Sequence, residues 1–421
     1  MTPLRFCLLT TFYPPFNFGG DGIDVQRTAR ALVRRGHSVT VVHDVDAYQW
    51  LAGRRLPPQP VDQEGVEVIG LRSRLGVLSP ILTHQLGHPI VHGRAMARLL
   101  GERRPDVVVF NNVSLVGGPG LLALGGDALK VYVAHEHWLV CPTHVLWRFN
   151  REPCDERACT RCVLAHRRPP QVWRYTGALE RQLPNVDLFI ARSEFSRAKH
   201  RAFGFAPPMQ VLPYFLPGEI PAERPRSPAQ RPQERPYFLF VGRLTRIKGL
   251  DSVISVVGRY PLADLIVIGD GEERETLAAQ ARPFANVRFL GRISNEHLGQ
   301  YYEHAIAAIV PSLGYETFGI VLIEALRYGT PVIARRIGPF PEIVDQSGGG
   351  LLFTSSDELL GAMTRIQGDP HYRAELADRG YRACRERWSE DVVVGQLLML
   401  ISRASPSGAA RYAPQSPQVA R

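Results

Sequence analysis

The sequence predicts two doubly wound α/β domains that face each other across a cleft. Three observations carry that prediction. Short apolar runs alternate with helical patterns, as βα units with parallel sheets require. A break at Pro207–Pro236, with nine prolines in thirty residues, divides the alternation in two. A glycine-bearing loop follows the first strand of each half, where a doubly wound sheet binds its ligand. At 421 residues the chain is long enough for two separate cores.

In chain order, the strands expected in the first half are Leu4–Thr10, Val39–His43, Val107–Phe110, Val131–Ala134 and Asp187–Ile190. In the second half they are Tyr237–Val241, Leu265–Ile268, Val287–Leu290, Ala307–Val310 and Val332–Ala334. The domains then run 1–206 and 237–389, with 207–236 as an extended, semi-rigid linker. A last helix is expected over 390–403. Residues 404–421, rich in Ala, Ser, Pro and Gln, read as a disordered tail. A composition of 45% apolar and 21% charged residues is that of a globular protein. No apolar run approaches the roughly 20 residues that span a bilayer. The opening apolar run is cut short by Pro14-Pro15 and reads as a buried strand rather than a leader, so a cytoplasmic placement is expected.

The first glycine loop, Phe18-Gly19-Gly20-Asp21-Gly22, precedes a helix striped by Val25, Ala29, Leu32 and Val33, and small residues there let backbone approach a ligand. Asp44-Val45-Asp46 follows the second strand. Two carboxylates alone make a poor metal site, so the pair reads as a solvated loop. His135 ends the fourth strand, with His137 two residues on; either imidazole is suited to hydrogen-bond a hydroxyl.

Four of the six cysteines, Cys141, Cys154, Cys159 and Cys162, fall in a C-x12-C-x4-C-x2-C spacing. Four thiolates are enough for a structural zinc site; an iron–sulfur cluster, disulfides and partnerless thiols are the alternatives. The net charge is +10, and 47 of the 50 basic residues are arginine. Between Arg148 and Arg181 eight arginines are interleaved with Trp147 and Trp173. That mixture suits an anionic membrane surface, so peripheral attachment is an expectation; the rival reading is arginine-rich composition showing through. No nucleic-acid recognition motif accompanies the charge, and nucleic acid is not expected as a partner.

The second half carries two stretches that together read as a holder for a sugar diphosphate. In Phe238-Leu-Phe-Val-Gly242-Arg243-Leu-Thr-Arg-Ile-Lys248-Gly249 an apolar run ends at glycine, and one of only three lysines follows. A compact ammonium suits a crowded phosphate, whereas a guanidinium grips two oxygens. In Glu316-Thr317-Phe318-Gly319-Ile320-Val-Leu-Ile-Glu324, Thr317 is expected to cap a helix whose first amides meet a diphosphate. Glu324 is placed to accept two vicinal hydroxyls of a ribose.

Gly242-Arg243…Lys248-Gly249 followed by Glu316-x7-Glu324 resembles the donor site of family 4 glycosyltransferases, retaining enzymes of the two-domain GT-B fold. The likeness extends to Tyr13-Pro-Pro…Gly19-Gly20, Gly36-His37-Ser-Val and Ala134-His135-Glu136, so it covers most of the chain. It implies that the last helix crosses back to the first domain and that Gly19 and Gly20 lie opposite the diphosphate. It places His135 toward the sugar, and Arg243, Lys248 and Glu316 at the reacting phosphate. Donor contacts implied further are Gly242, Gly269, Arg292, Ile293, Thr317, Phe318, Gly319, Ile320 and Glu324. The base is read by backbone near Gly269–Gly271 and Gly291–Ile293, with uridine taken over guanosine. The implied reaction moves a hexose from a nucleoside-diphosphate sugar to a glycan or lipid-linked acceptor, with no metal needed because Arg243, Lys248 and the helix start meet the leaving charge. The segment resembles a W-L-x-C-P…C…C-x-x-C insertion of some family 4 members, which implies a brace near the acceptor side.

Overall fold

The structure is a computed structural model that describes residues 2–53, 64–224 and 231–405. Each half of the chain builds one parallel sheet with helices on both faces. The first sheet contains β1 (Arg5–Leu9), β2 (Ser38–Asp44), β3 (Glu67–Leu71), β4 (Val107–Phe110) and β5 (Leu129–Ala134). A short antiparallel hairpin, β6 (Trp147–Arg148) and β7 (Glu152–Pro153), stands apart, and β8 (Leu188–Ala191) and β9 (Met209–Val211) complete the first sheet. The second comprises β10 (Tyr237–Val241), β11 (Asp264–Ile268), β12 (Val287–Gly291), β13 (Ala308–Val310), β14 (Val332–Arg335) and β15 (Gly350–Phe353). The orders are 3-2-1-4-5-8-9 and 12-11-10-13-14-15. The direction of winding reverses beside β1 in one sheet and beside β10 in the other, which is where such sheets bind ligands at their carboxyl ends.

Side-chain alternation explains why the strands read as continuous apolar runs. In β1, Cys7 and Leu9 enter the core on one face, while Phe6 and Leu8 enter the core on the other. In β10, Tyr237 and Leu239 point to one face and Phe238 and Phe240 to its opposite. Both faces are covered, so Phe6–Leu9 and Tyr237–Phe240 are all buried and apolar.

The GT-B expectation of a returning helix is met. Glu390–Ala404 leaves the second domain and buries Val393, Val394, Leu397, Leu398 and Ile401 against Phe6, Leu8, Val25 and Val133 of the first. Five such side chains contribute roughly 10 kcal/mol of gross burial. Its start is fixed beside the first passage of the chain, where Leu216 N donates to the Trp388 carbonyl at 2.8 Å.

The proline-rich stretch is not all linker. Met209–Val211 pairs in parallel with β8, and Leu212 and Phe215 are buried in the first core while Tyr214, Leu216 and Ile220 enter the second. β9 is an edge strand, where Pro207-Pro208 before it and Pro213 after it cost no ladder hydrogen bond. Residues 225–230 of the expected linker and 406–421 of the expected tail lie outside the described residues; Ala404 closes the last helix.

Candidate active site

The carboxyl ends of β10, β11 and β12 lie side by side, which brings Gly242, Gly269 and Arg292 together from three separate loops. Gly242 N donates to the Ile268 carbonyl at 3.0 Å, and Gly269 N to that of Gly291 at 2.8 Å. Gly269 has φ +141°, and a Cβ there would sit 1.9 Å from the Gly242 carbonyl oxygen, so only glycine fits. Arg292 projects outward, its side chain 82% exposed and 4.0 Å from the Asp270 carboxylate; Ile293 packs against the second core. Arg243 is exposed, with no hydrogen bond or ion pair from its side chain among the described residues.

The turn Arg246–Lys248 carries the lysine toward the end of β13. Lys248 Nζ donates to Glu316 Oε1 at 2.7 Å, and Ser312 Oγ donates to the same oxygen at 2.7 Å. Burial works to raise the Glu316 carboxyl, but the charge and hydrogen bond of Lys248, helped by Ser312, more than offset it and hold the group below the usual carboxylate range.

Thr317 does not cap the helix that follows. The helix is Ile320–Arg327, and Gly319 precedes it at φ +106°, where a Cβ would lie 2.6 Å from the Phe340 ring. Thr317 instead crosses the cleft: its Oγ1 donates to the His135 carbonyl at 2.9 Å, and Ser193 Oγ donates to the Thr317 carbonyl at 2.7 Å. The amides of Thr317, Phe318 and Gly319 meet no backbone acceptor among the described hydrogen bonds, which leaves a row of donors at the helix start. Glu324 faces the first domain. Arg27 Nη2 donates to its Oε1 at 3.3 Å, and burial raises its carboxyl above the usual range despite that partner. A cavity of about 660 Å³ opens beside it, between Arg27 and Arg30 on one side and Tyr302, Arg327 and Tyr328 on the other.

On the first domain, Gly19 and Gly20 open the helix Gly20–Arg34, which also bears Asp24 and Arg27. Asp21 accepts from Asn112 Nδ2 at 3.0 Å, and burial, then the neighbouring Glu136 charge, raises its carboxyl. His135 is buried with both ring nitrogens occupied. Nε2 stands 2.9 Å from Asn111 Oδ1, and Nδ1 stands 3.1 Å from the Tyr214 hydroxyl and 3.5 Å from Arg192 Nη2. Burial, then the Arg192 charge, lowers its pKa well below that of a free imidazole, so the ring is neutral and donates from Nε2. Arg192 in turn pairs with Asp24, buried beside it. The sequence led us to expect a ring free to meet a hydroxyl; here the ring is a satisfied interior group, and the backbone of His135 reaches the second domain. His137 is buried too, stacked on His200 at 5.3 Å between ring centroids.

Arg27, Asn111, Arg192, Ser193 and Ser312 were not singled out by sequence. Arg27 sits a helical two turns from Gly20, a spacing that points it along the glycine loop's side, but nothing local says that this side meets the other domain.

Two further sequence readings change. Asp44 and Asp46 are not a solvated loop: they are 0% and 2% exposed, since Asp44 Oδ1 caps the next helix through Ala47 N and Asp46 Oδ2 accepts from Ser73 N and Oγ. Trp147 and Trp173 are buried, and Arg174 lies over the Trp173 ring at 4.4 Å, so the interleaved tryptophans are core and not a membrane-facing surface. No helix among the described residues is long and apolar enough to cross a membrane. The four cysteines are neighbours, and burial with the mutual proximity of Cys141, Cys162 and Cys159 pushes the Cys154 thiol up to about 11. No three of their sulfurs lie within 4.8 Å of one another among the described residues. Three sulfurs have a protein partner: Cys141 meets Thr143 Oγ1, Cys154 meets the Glu156 carbonyl, and Cys162 accepts from Phe149 N. The insertion does span the cleft, for Asp155 accepts from Tyr315 OH at 2.8 Å and from Lys199 Nζ at 2.6 Å.

Known proteins share this architecture. Residues 18–216 match the family model described as Glycosyltransferase Family 4, and residues 222–383 match Glycosyl transferases group 1. Glycogen synthase of Mycobacterium tuberculosis is 28% identical over 92% of this chain and 91% of its own length. The D-inositol 3-phosphate glycosyltransferase of Acidothermus cellulolyticus is 27% identical over 93% and 89%. Among solved structures, sucrose-phosphate synthase from Thermosynechococcus elongatus superposes with a TM-score of 0.73 at 21% identity, covering 96% of this chain and all of the other. Anabaena HepE in complex with UDP gives 0.66 at 19%, covering 95% and 100%. The two sheets, the returning helix and the two matched domains together make this chain a GT-B glycosyltransferase, with a family 4 domain followed by a group 1 domain.

Proposed function

We propose that the chain transfers a hexose, with retention of anomeric configuration, from a uridine-diphosphate sugar to a glycan or lipid-linked acceptor. The observation that carries this reading is the pairing of Lys248 with Glu316 and of Glu324 with Arg27 on either side of one helix start. Each pair is a partly buried opposite-charge contact beside which one end of a nucleoside diphosphate can bind: the phosphates at Lys248, the ribose hydroxyls at Glu324. The row of amides at Thr317–Gly319 lies between them in sequence. Two structural neighbours are described as complexes with UDP and with UDP-glucose, which favours uridine and a hexose.

Departure of the diphosphate develops negative charge on its outer phosphate. Lys248, Arg243 and the helix start stabilise that charge where it forms, and Glu316 holds the ammonium in place through a hydrogen bond that Ser312 shares. Retention is the chemistry implied by the family resemblance, with front-face attack by the acceptor hydroxyl. His135 is a positioning residue in this account: its neutral ring is locked by Asn111, Tyr214 and Arg192, and its carbonyl fixes Thr317 when the domains are together. The cysteine insertion, reaching Tyr315 through Asp155, braces the acceptor side whether or not it carries metal.

The test is turnover of UDP-glucose by Lys248→Ala, with the anomer of the product read by proton NMR. Loss of charge stabilisation worth about 3–4 kcal/mol slows kcat on the order of 10²–10³-fold. Near-normal turnover by a folded Lys248→Ala protein would sink this reading.

A further inference from the structure

Asp44, Asp46 and His92 bring one ligand atom each to within 4.8 Å of one another, all three residues buried. They come from two parts of the first domain. Asp44 ends β2, Asp46 lies in the first turn of the helix Val45–Ala52, and His92 precedes the helix Gly93–Arg103. His92 Nε2 lies 3.3 Å from Asp46 Oδ2 and 4.0 Å from Asp44 Oδ1. Two polar atoms in this small space have no hydrogen-bond partner: Nε2 of His92, whose side chain is 6% exposed, and Oδ2 of Asp44, whose side chain is fully buried.

A buried carboxylate oxygen and a buried ring nitrogen without partners are costly, because each loses its hydration and regains nothing. Arginine abounds in this chain, yet no arginine or lysine pairs with Asp44 or Asp46 among the described ion pairs; the basic side chain beside them there is His92. Two acidic groups and one imidazole stand close together, with Asp44 Oδ2 and His92 Nε2 left without hydrogen-bond partners. Asp46 is oriented from outside the cluster by Ser73 N and Oγ at 2.8 and 2.7 Å, and Asp44 by Ala47 N at 3.0 Å. Such hydrogen bonds to ligating carboxylates are what hold them in a metal-binding geometry.

We propose that Asp44, Asp46 and His92 form a binding site for a divalent first-row cation. Two carboxylates and one imidazole suit Mn²⁺ or Zn²⁺, and a cation there neutralises both acids. It ties the carboxyl end of β2 to the segment that leads into Gly93–Arg103, and through Asp46 to the loop after β3. The site is on the first domain, away from the loops that carry Lys248 and Glu324, so its role is to stiffen the acceptor-side wall rather than to meet the donor.

The test is titration of chelator-stripped, full-length protein with Mn²⁺, followed by electron paramagnetic resonance of the free ion. Mn²⁺ is chosen because thiolates bind it poorly, so the cysteine cluster does not compete. One Mn²⁺ per chain is expected in wild type, with affinity weakened at least about tenfold in Asp46→Asn and in His92→Gln. A Cys154→Ser, Cys159→Ser double variant binds as wild type does. Because the ligand variants risk misfolding, wild-type melting is followed alongside, with and without Mn²⁺ or Zn²⁺; saturating cation raises the midpoint. Absence of stoichiometric Mn²⁺ binding together with an unshifted wild-type midpoint overturns the proposal. So does unaltered Mn²⁺ affinity in both folded ligand variants.

Discussion

Replacing Glu390 tests how the two domains are held in register. Its carboxylate, 9% exposed, accepts from Arg34 Nε at 3.2 Å and Nη2 at 2.6 Å, from Arg35 Nη1 at 3.1 Å and from Gly218 N at 3.2 Å. One residue thereby joins the start of the returning helix, the end of the glycine-loop helix and the first passage of chain between domains. Arg34 is about half exposed, so its ion pair counts for little. The bonds from the more buried Arg35 and from Gly218 N are worth about 1.5 kcal/mol each, and Glu390→Ala is expected to cost about 3 kcal/mol. Denaturant unfolding followed by fluorescence reads it. Burial works against the Glu390 charge, yet the partners, Arg34 foremost, hold its pKa below the ordinary value. The stabilisation is therefore present above the unfolded-state value near 4.3 and is lost as pH falls through the lower folded value, so the gap between wild type and Glu390→Gln closes below about pH 4. A Glu390→Ala protein within about 0.5 kcal/mol of wild type at pH 7 would refute this reasoning.

Two further outcomes concern the donor side. Gly269→Ala forces a Cβ to 1.9 Å from the Gly242 carbonyl in a backbone region that alanine avoids, and is expected to destabilise the second domain by about 3 kcal/mol or more; an unchanged unfolding midpoint contradicts the packing described. Because burial raises the Glu324 carboxyl, UDP affinity is expected to weaken on acidification earlier than an ordinary glutamate near 4.3 gives, and Glu324→Gln is expected to flatten that profile; parallel profiles for the two proteins count against a ribose contact.

The interior of each sheet was legible because both faces are covered. Runs such as Val107–Phe110 and Tyr237–Val241 have no polar residue to confuse them, and their bounds agree with the observed strands. Five strands were missed: the two-residue hairpin strands β6 and β7, and β3, β9 and β15, which are all edges of the two large sheets. Edge residues are only partly buried, as in Glu67–Leu71, so they lack a strong apolar signal. The donor motif was legible because it is local in sequence, with Gly242 to Lys248 on one loop and Glu316 to Glu324 on another. What faces it was not: Arg27 and Ser193 meet the second domain only through the docking of two separately folded units. Asp44 and Asp46 show the same limit in reverse. Their acidity argued for solvent, and only the arrival of His92 and Ser73 from distant segments makes the pair an interior feature.

The central claim is that Glu324 and its neighbours hold a uridine diphosphate. The most direct measurement is calorimetric binding of UDP, GDP, ADP and TDP to wild type and to Glu324→Ala, side by side and without added metal. The account predicts selective binding of UDP by wild type, weakened roughly thirtyfold in the variant as about 2 kcal/mol of charge-assisted hydrogen bonding to the ribose is lost. No binding of any of the four, or equal UDP affinity in the two proteins, would contradict it.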